Sequence, residues 1–327
     1  MSMPSNNSLH NPNDNMTYWT QKYPSLLPKN MMGLSRMWDK EHPPFTFMIM
    51  PPQNSNYNFQ WPVMVNPSAI AEEVEEGAES PLMDAEERIE SFVCREFRLA
   101  TKISQRLITH GIRNVVRSKT ENLVDAVNKA REYLNLLALT GSNLNQSVDR
   151  LNVGKAGQVE DPTDDAKAWN EDGAKILDDV IAMKDLVEKY SGEPARYMFV
   201  PRAEYKALQK DSEIKDEIKY TRSDLLTSGE IPMIKGLQVI KVSNFFKNRK
   251  KTGEDARIEL LTDKVLITTA KVGFTAVAEP MNGTAPIIDR WEEKKQRAVY
   301  MHAFSSFCPV IEDYSRIGVI TDTNALI

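Results

Sequence analysis

Residues 71–119 read AEEVEEGAESPLMDAEERIESFVCREFRLATKISQRLITHGIRNVVRSK, and the sign of the charge changes halfway along this stretch. Residues 71–90 hold nine carboxylates and a single Arg, whereas residues 95–119 hold seven Lys or Arg and one Glu. In a globular domain that acts alone, a charge asymmetry along a loop serves no clear purpose. In a protein that docks against its own copies, the acidic part of one copy can attract the basic part of the next. The pattern therefore favours a self-assembling subunit over an enzyme.

The composition is that of a globular protein with a sizeable core. The 327 residues, 41% apolar and 27% charged, suit one large domain or two ordinary ones. A net charge of −5 excludes an overall basic nucleic-acid binder, although a local patch could still serve. We expect no transmembrane helix and no secretion signal, and the isolated Cys94 and Cys308 fit a reducing cytoplasm.

Residues 1–56 are interrupted by prolines and should form an extended arm, because such a segment cannot build its own core. A disordered tail is the simpler alternative. However, the segment carries large apolar side chains that do not suit a solvated tail. We therefore interpret it as an arm that lies across a partner subunit, with Trp19, Trp38 and Phe47 as its anchors.

The pattern next predicts a hairpin and a long helix. Residues 61–65 form one strand, and the segment 87–102 returns with partial alternation. Ser118 and Glu121 fit a capping box at the start of a helix, and Gly141 is suited to end it. Apolar residues follow at helical spacing between these limits: Leu123, Val127, Ala130, Leu134 and Leu137.

The remaining elements do not alternate as in a wound parallel sheet. A second amphipathic helix is predicted over about 172–190, a buried strand over 195–200, and a third helix from Pro201 onward. The last third of the chain is rich in β-branched and aromatic residues. This order indicates the α+β class.

The sequence carries no recognisable catalytic or cofactor motif. It has no glycine-rich nucleotide cradle, and none of its four histidines has metal-ligand spacing to another His or Cys. The acidic residues 72–79 lack the ladder of oxygen ligands that fixes Ca²⁺ or Mg²⁺. The basic run 247–251 could contact nucleic acid, but a solvated loop explains it more simply. We expect no catalytic residue, no cofactor and no metal.

An ordered series of segments resembles the major capsid proteins of tailed viruses, which have the Hong Kong 97 fold. The segments, with their positions, are EEGAESP (75–81), RLATKISQRLI (98–108), ENLVDAVNKAREYLNLLALTGS (121–142), YMFVPRAEYKAL (197–208), IPMIKGLQVIKVS (231–243), VGFTAVAEP (272–280) and RAVYMHAFSSFCPVI (297–311). No single motif is decisive, but their order covers about residues 57–320.

The resemblance implies a shell subunit of four parts. Residues 1–56 would be the N-terminal arm and residues 57–102 an extended loop that reaches over a neighbour. Residues 103–141 and 263–304 would form a peripheral domain with a long spine helix. Residues 142–262 and 305–327 would form the axial domain, which meets its copies around five-fold and six-fold axes.

The resemblance also implies a function and partners. Hexamers and pentamers would assemble into an icosahedral shell that encloses double-stranded DNA through non-specific contacts. The chain leaves little room for a fused scaffolding segment, so we expect a separate scaffolding protein and a portal, with no membrane partner. The protein would be part of the virion capsid and be assembled in the host cytoplasm. Residues 41–101 contain no lysine, so a covalent cross-link from the loop is not expected.

Two alternatives remain open at this point. An encapsulin, a bacterial nanocompartment of the same fold, would enclose protein cargo instead of a genome, although its N-terminus is usually a short helix. A soluble α+β enzyme would need convergent titratable residues, which the sparse histidines do not supply. Oligomeric state separates the enzyme from the shell, and the packaged content separates the two kinds of shell.

The change of charge predicts which residues meet between subunits. The acidic loop tip is Glu73, Glu75, Glu76, Gly77, Glu79 and Pro81. Its basic partners on an adjacent subunit are Arg95, Arg98, Lys102, Arg106 and Arg113. Alternatively, these charges pair within one hairpin. Each exposed pair contributes only ~0–1 kcal/mol, so many pairs and additional apolar burial are needed.

Charge reversal of the loop tip tests this docking. Replacing Glu73, Glu75 and Glu76 by Lys should leave a folded subunit but impair particle formation, because the acidic tip would then repel the basic stretch. Electron microscopy and sedimentation measure the particle yield, and circular dichroism checks the fold. Particles of normal yield and shape from the triple variant would contradict the docking.

Overall fold

The helices occupy the first two thirds of the chain. The computed structural model describes residues 28–64, 87–110, 115–141, 151–160, 167–221, 231–242, 245–247, 257–278, 284–293 and 298–324. The helices are α1 Pro28–Glu41, α2 Gln105–His110, α3 Val115–Leu139, α4 Ile176–Ser191, α5 Arg202–Lys210 and α6 Ser212–Thr221. Short 3-10 turns cover Phe45–Met48 and Tyr314–Arg316. Across these ranges, no helix is long and apolar enough to cross a membrane.

Most strands follow the long helix α3. Before it come β1 Pro52–Asn54, β2 Asn58–Met64, β3 Glu87–Val93 and β4 Arg95–Ser104. After it come β5 Asn152–Lys155, β6 Tyr197–Pro201, β7 Met233–Ile234, β8 Leu237–Val242, β9 Phe245–Lys247, β10 Arg257–Glu259, β11 Lys264–Thr268, β12 Gly273–Val277, β13 Ile287–Glu293, β14 Ala298–Ile311 and β15 Ile317–Thr321. Helices and strands do not alternate regularly along the chain. This order confirms the predicted α+β class.

Two compact units divide the chain. The first unit comprises Met1–Pro43, Glu96–Asn128 and Glu279–Ser306. The second unit comprises Pro44–Arg95, Lys129–Ala278 and Phe307–Ile327. These bounds differ from the four parts predicted from sequence, and the assignment of arm, extended loop, peripheral domain and axial domain stays a prediction.

In the first unit, α1 packs against its own chain. The Ser35 hydroxyl donates to the Pro286 carbonyl at 2.6 Å, and the Asn128 amide donates to the carboxylate of Asp39 at 2.9 Å. Residues 28–41 are therefore helical where the sequence predicted an extended segment, while their assignment to the N-terminal arm stays a prediction. Proline suits the first turn of a helix, and no further proline occurs before residue 43, so the intervening residues can complete helical turns.

In the second unit, the chain after α1 is also integrated into the core. Ile49 and Met50 are fully buried, and β1 pairs in parallel with β12. The side-chain amide of Asn135 donates to the hydroxyls of Thr46 and Thr275, at 2.9 and 3.0 Å. Residues 44–54 thus form a strap that packs on the same subunit through the buried Thr46, Ile49 and Met50, which differs from an extended arm.

The helix α3 starts earlier than the capping box predicted. The Thr120 hydroxyl already donates to the Val116 carbonyl at 2.9 Å, one turn back, so Ser118 lies inside the helix and is not its N-cap. The predicted end is confirmed, because Gly141 adopts a φ of 76° and its N–H donates to the Ala138 carbonyl at 3.0 Å.

The second unit contains a six-stranded sheet with the order β5-β15-β11-β6-β8-β7. Helix α4 covers it through the buried side chains of Val180, Met183 and Val187, and its range confirms the second predicted helix with a later start. Strand β11 pairs with β6 and β15 in this sheet. The sequence-based boundary at residue 263 places this strand in the predicted peripheral domain, and that assignment stays a prediction.

Both units contain part of a second sheet, which includes β14. In the first unit, residues 298–304 of β14 pair with β13, and β4 also pairs with β14. In the second unit, residues 307–311 of β14 pair antiparallel with β12, whose other neighbour is β1. The hairpin β2–β3 forms a separate two-stranded sheet, as does the pair β9–β10.

Two glycine substitutions should change stability in opposite directions. A Cβ at Gly273 would overlap the Val310 carbonyl oxygen on the paired strand, so Gly273→Ala should lower the free energy of unfolding by ~1–3 kcal/mol. A Cβ at the helical Gly33 would meet nothing within 4 Å, so Gly33→Ala should raise it by ~0.5–1 kcal/mol. Urea denaturation measures both changes. Equal stability of the Gly273→Ala variant and the parent would contradict the close strand approach.

Candidate subunit-contact surfaces

The inner side of the hairpin β2–β3 is anchored to its own subunit. Phe59 stacks on Phe92 across the two strands at 5.4 Å between ring centroids. Trp61 meets the ring of Phe274 on β12 edge-on at 4.7 Å. The predicted hairpin is confirmed, and its described part is tied to the second unit by an aromatic cluster.

Three pairs on the outer side of the same hairpin carry no charge, and the next pair in this series, Met64–Glu87 at the end of the strands, introduces a Glu. Three directly opposite pairs point outward, and all six residues are exposed. These pairs are Asn58–Val93, Gln60–Ser91 and Pro62–Ile89. We call them the uncharged hairpin face. Ile89 is 67% exposed and Val93 is 50% exposed. Two large apolar side chains thus face solvent on one side of the hairpin, in a chain in which 27% of the residues are charged.

One ion pair lies within the hairpin. The guanidinium of Arg88 donates to the carboxylate of Glu90 at 2.6 and 3.0 Å, and Glu90 is nearly buried. Neither residue belongs to the predicted loop tip or to its predicted basic partners, so both interpretations of those charges stay open. The predicted loop tip, from Glu73 to Pro81, lies outside the described residues, and its contact with a neighbour stays a prediction.

The predicted basic partners are distributed along β4 and the start of α2. Side chains alternate along β4, so Arg98 and Lys102 share one exposed face. Arg98 lies 3.8 Å from the Glu96 carboxylate, but both groups are well exposed and the pair contributes little to stability. Arg95 and Arg106 are also exposed. Arg113 lies outside the described residues.

A row of aromatic side chains crosses β13 and β14 in the first unit. Trp291 stacks on Tyr300 at 5.3 Å with nearly parallel rings, and His302 lies 5.3 Å from Trp291 and 5.2 Å from Phe304. Trp291 is 45% exposed, and the other three are partly exposed. We call these four residues the aromatic row. The ammonium group of Lys102 lies 5.6 Å from the centre of the Tyr300 ring.

The aromatic row was not among the surfaces predicted from the sequence. The period-two spacing of Tyr300, His302 and Phe304 is a signal for one face of a strand. Trp291 is joined to this face only by the antiparallel register of β13 and β14, which pairs it with Tyr300. His302 lies on β14 and packs between the rings of Trp291 and Phe304.

The predicted arm anchors have different surroundings. The Trp38 indole N–H donates to the Asp125 carboxylate at 2.6 Å, and its ring stacks on His42 at 3.9 Å. Phe47 is half-buried in the strap, and Trp19 lies outside the described residues. The structure thus gives Trp38 contacts within its own subunit, and contact of the anchors with a neighbour stays a prediction.

A polar cleft of about 620 Å³ lies beside α4 and α5 in the described part of the chain. Its lining mixes cations and anions, including Lys175, Lys206, Asp172 and Asp211. The described residues contain no group of three or more His, Cys, Asp or Glu suited to a metal ion.

Two buried carboxyl groups in the second unit have perturbed proton affinity. Burial raises the pKa of Asp179, although its carboxylate accepts N–H donors from Gly157 at 2.9–3.0 Å and from the Trp169 indole at 2.9 Å. Burial also raises the pKa of Glu204, to which the Thr323 hydroxyl donates at 3.1 Å. Perturbed carboxyls can mark active sites. Here the hydrogen bonds of Asp179 join the segment that contains Gly157 and Trp169 to α4. The hydrogen bond from Thr323 to Glu204 joins the segment after β15 to α5.

Comparison with known proteins identifies a family. A sequence model of the family described as Phage major capsid protein E matches residues 109–315, which is more than half of the chain. The match begins just before α3 and extends through both large sheets. No curated protein matched the chain.

Several solved structures are similar to this chain. A phage-related protein from Bordetella bronchiseptica RB50 has a TM-score of 0.60 and 11% identity, over 89% of this chain and 97% of that chain. The virus-like particle from Pyrococcus furiosus has a TM-score of 0.54 and 11% identity, over 89% and 98%. The mature capsid of bacteriophage PhiM1 has a TM-score of 0.55 and 9% identity, over 87% and 89%. These similarities confirm the predicted capsid fold.

The buried carboxyl groups predict how stability depends on pH. Because the pKa of Glu204 is raised above its ordinary value of 4.5, the folded state binds its proton more tightly than the unfolded state does. Its ionisation therefore lowers the free energy of unfolding as the pH rises above about 4.5. Glu204→Gln cannot ionise, so its stability relative to the parent should increase between pH 4.5 and pH 8, as measured by urea denaturation.

Asp179→Asn provides the contrast for this measurement. Both oxygens of the Asp179 carboxylate accept here, from the Gly157 N–H and the Trp169 indole N–H, whereas an amide has only one acceptor oxygen, so this variant should lose stability throughout the pH range. The same pH profile for Glu204→Gln and the parent would contradict the raised pKa.

Proposed function

This chain belongs to the family of phage major capsid protein E, and on that premise we propose that it assembles through hexamers and pentamers into an icosahedral shell. The shell encloses a double-stranded DNA genome. The observation that carries this proposal is the family match over residues 109–315, which contains the long helix and most of both large sheets. The protein is a structural component of the virion capsid.

The distribution of apolar surface supports assembly. The uncharged hairpin face and the aromatic row are each exposed in the single chain, with side chains such as Ile89 and Trp291 in contact with water. Burial of apolar area contributes ~25 cal/mol per Å². Such contacts are weak one at a time, but their repetition around a closed shell makes the particle stable.

The acidic loop tip supplies a second, electrostatic contact in this proposal. Residues 65–86 contain seven carboxylates and no Lys or Arg, and they connect the ends of β2 and β3. They would reach the exposed Arg98, Lys102 and Arg106 of an adjacent subunit. Contacts of this kind steer association and set orientation more than they add affinity.

We further propose the remaining partners of the shell. A separate scaffolding protein and a portal assist assembly in the host cytoplasm, and the inner surface contacts packaged DNA without sequence specificity. The protein has no catalytic role in this proposal, since its buried carboxyl groups join structural elements. The family match favours a phage capsid over an encapsulin-type nanocompartment.

Purified full-length protein under assembly conditions tests the proposed function. Size-exclusion chromatography should show pentamers, hexamers or larger species, and electron microscopy should show closed particles with icosahedral symmetry. A subunit that remains a monomer or dimer at all salt and protein concentrations would contradict the proposal. Particles produced in a bacterial host that contain a protein cargo and no DNA would favour the nanocompartment.

A further inference from the structure

The two cysteines of the chain are far apart in the sequence but belong to one buried cluster. Cys94 directly follows β3 and Cys308 lies on β14, and both are reduced and buried. The chain has no other cysteine, and the cluster has only eight buried members. We propose that Cys94 and Cys308 are an oxidisable pair whose disulfide fastens the base of the hairpin β2–β3 to β14 of the same subunit. This modification lies beyond the proposed shell function and does not depend on it.

The register of the second sheet places Cys308 beside Ala276. The two residues lie directly opposite each other on β14 and β12, so their side chains share one face of the sheet. The neighbours of Ala276 on β12 are turned toward β1, since the Thr275 N–H and the Val277 carbonyl both bond to the chain on that side. Backbone groups alternate along a strand, so the Ala276 carbonyl points the other way, toward Cys308.

Cys94 approaches the same carbonyl from the hairpin. Its N–H donates to the Tyr57 carbonyl at 2.8 Å, which closes the base of the hairpin. Its Sγ lies 3.9 Å from the Ala276 carbonyl oxygen. The Ala276 side chain is only a methyl group, which permits this close approach. The Cys94 sulfur therefore lies at the boundary between β12 and β14, in the cluster that contains Cys308.

This arrangement is compatible with the geometry of a disulfide. A disulfide joins residues whose Cα atoms are about 4.4–6.8 Å apart. Opposite residues that exchange hydrogen bonds in an antiparallel pair have Cα atoms about 5.5 Å apart, which gives the separation of Cys308 from Ala276. Rotation about χ1 moves each sulfur between staggered positions while the backbone stays in place. Buried cysteines can also serve as small apolar side chains, but that role does not require both to share one cluster.

The hairpin supplies the route by which an oxidant reaches the pair. Strands β2 and β3 form a separate two-stranded sheet, and such a sheet is marginally stable by itself. It therefore opens more readily than the six-stranded sheet. Cys94 is 6% exposed and Cys308 is 3% exposed, so Cys94 is the first thiol to meet the oxidant. Thiols stay reduced in the cytoplasm, so the link forms after the protein leaves a reducing compartment.

Hydrogen peroxide is an oxidant small enough for this reaction. The Cys94 thiolate attacks one oxygen, so an S–O bond forms and the O–O bond breaks, and the leaving hydroxide takes the thiol proton and departs as water. The Cys308 thiolate then attacks the sulfenic sulfur of Cys94. The S–S bond forms, the S–O bond breaks, and the second hydroxide leaves as water with the second proton. The two thiols lose two electrons and the peroxide gains them.

Peptide mapping of the full-length protein tests the pairing. Reduced, purified subunits are treated with hydrogen peroxide, freed of oxidant, denatured, alkylated with iodoacetamide and digested without reductant. Mass spectrometry should detect a peptide that links Cys94 to Cys308. The protein should remain a monomer on a denaturing gel without reductant, because the bond lies within one chain. Reduction should restore alkylation of both residues.

Cys94→Ala and Cys308→Ala are the matched controls, and neither should give a linked peptide. Covalent dimers of the parent would overturn the pairing, as would a sulfinic acid at one cysteine with the other still alkylated. Full alkylation of both cysteines after prolonged oxidation of the folded parent would overturn it as well. Each of these results comes from the parent alone, so the test holds even if a variant fails to fold. None of them bears on shell assembly, which electron microscopy assesses separately.

The stability of the oxidised protein tests whether the link fastens the hairpin. The bond closes a long loop, so oxidation should raise the midpoint of thermal unfolding by about 5 °C or more, and dithiothreitol should reverse the change. Hydrogen exchange of the amides in residues 87–93 should also slow. The same oxidant should leave the midpoint of Cys308→Ala unchanged. A linked parent with unchanged midpoint and exchange would show that the disulfide does not restrain the hairpin and would overturn its proposed role.

Discussion

The side-chain amide of Asn135 joins three separated parts of the chain at a point that water does not reach. It donates from α3 to Thr46 on the strap and to Thr275 on β12, and all three residues are fully buried. A buried polar group without a partner costs ~1–3 kcal/mol, so the three side chains specify one another's positions. Because the strap leads directly into β1, this contact also fixes where the chain enters the hairpin.

The hairpin has two faces with different surroundings, and the alternation of its residues separates them. Phe59, Trp61 and Phe92 point toward the core of the second unit, while Pro62, Ile89 and Val93 point to solvent. A slip of one residue in the register would exchange the two faces, and loss of the aromatic packing opposes it. The same packing that stabilises the subunit therefore determines which side chains a neighbour can reach.

Local features of the fold could be predicted from the sequence, whereas non-local ones could not. The hairpin, the end of α3 at Gly141 and the second helix depend on neighbouring residues, and the structure confirms them. The capping box at Ser118 was misplaced, because the same residue pattern also occurs inside a helix. The contact between the Trp38 indole and Asp125 could not be predicted, because the sequence does not show that these two residues lie within hydrogen-bonding distance.

The charged contact surfaces could be predicted from the sequence, but the aromatic one could not, because it depends on non-local strand register. Charge is visible in the sequence, so the acidic segment and the basic residues Arg98 and Lys102 were evident, although their pairing between subunits stays a prediction. The aromatic row was missed because Trp291 and Tyr300 are joined only by strand register. The capsid fold was predicted from the resemblance of the ordered motifs to a known family. The strand pairings themselves could not be derived from the sequence.

Helix α1 has a further consequence for the dynamics of the chain. It has 14 residues, no acidic side chain in its first turn, and an interior glycine with open space around it. A helix of this length is marginal in water by itself, so its contacts with Asp125, Asn128 and Pro286 maintain it. It therefore lies at the low end of local stability, and its backbone amides exchange with deuterium before those of the central sheets.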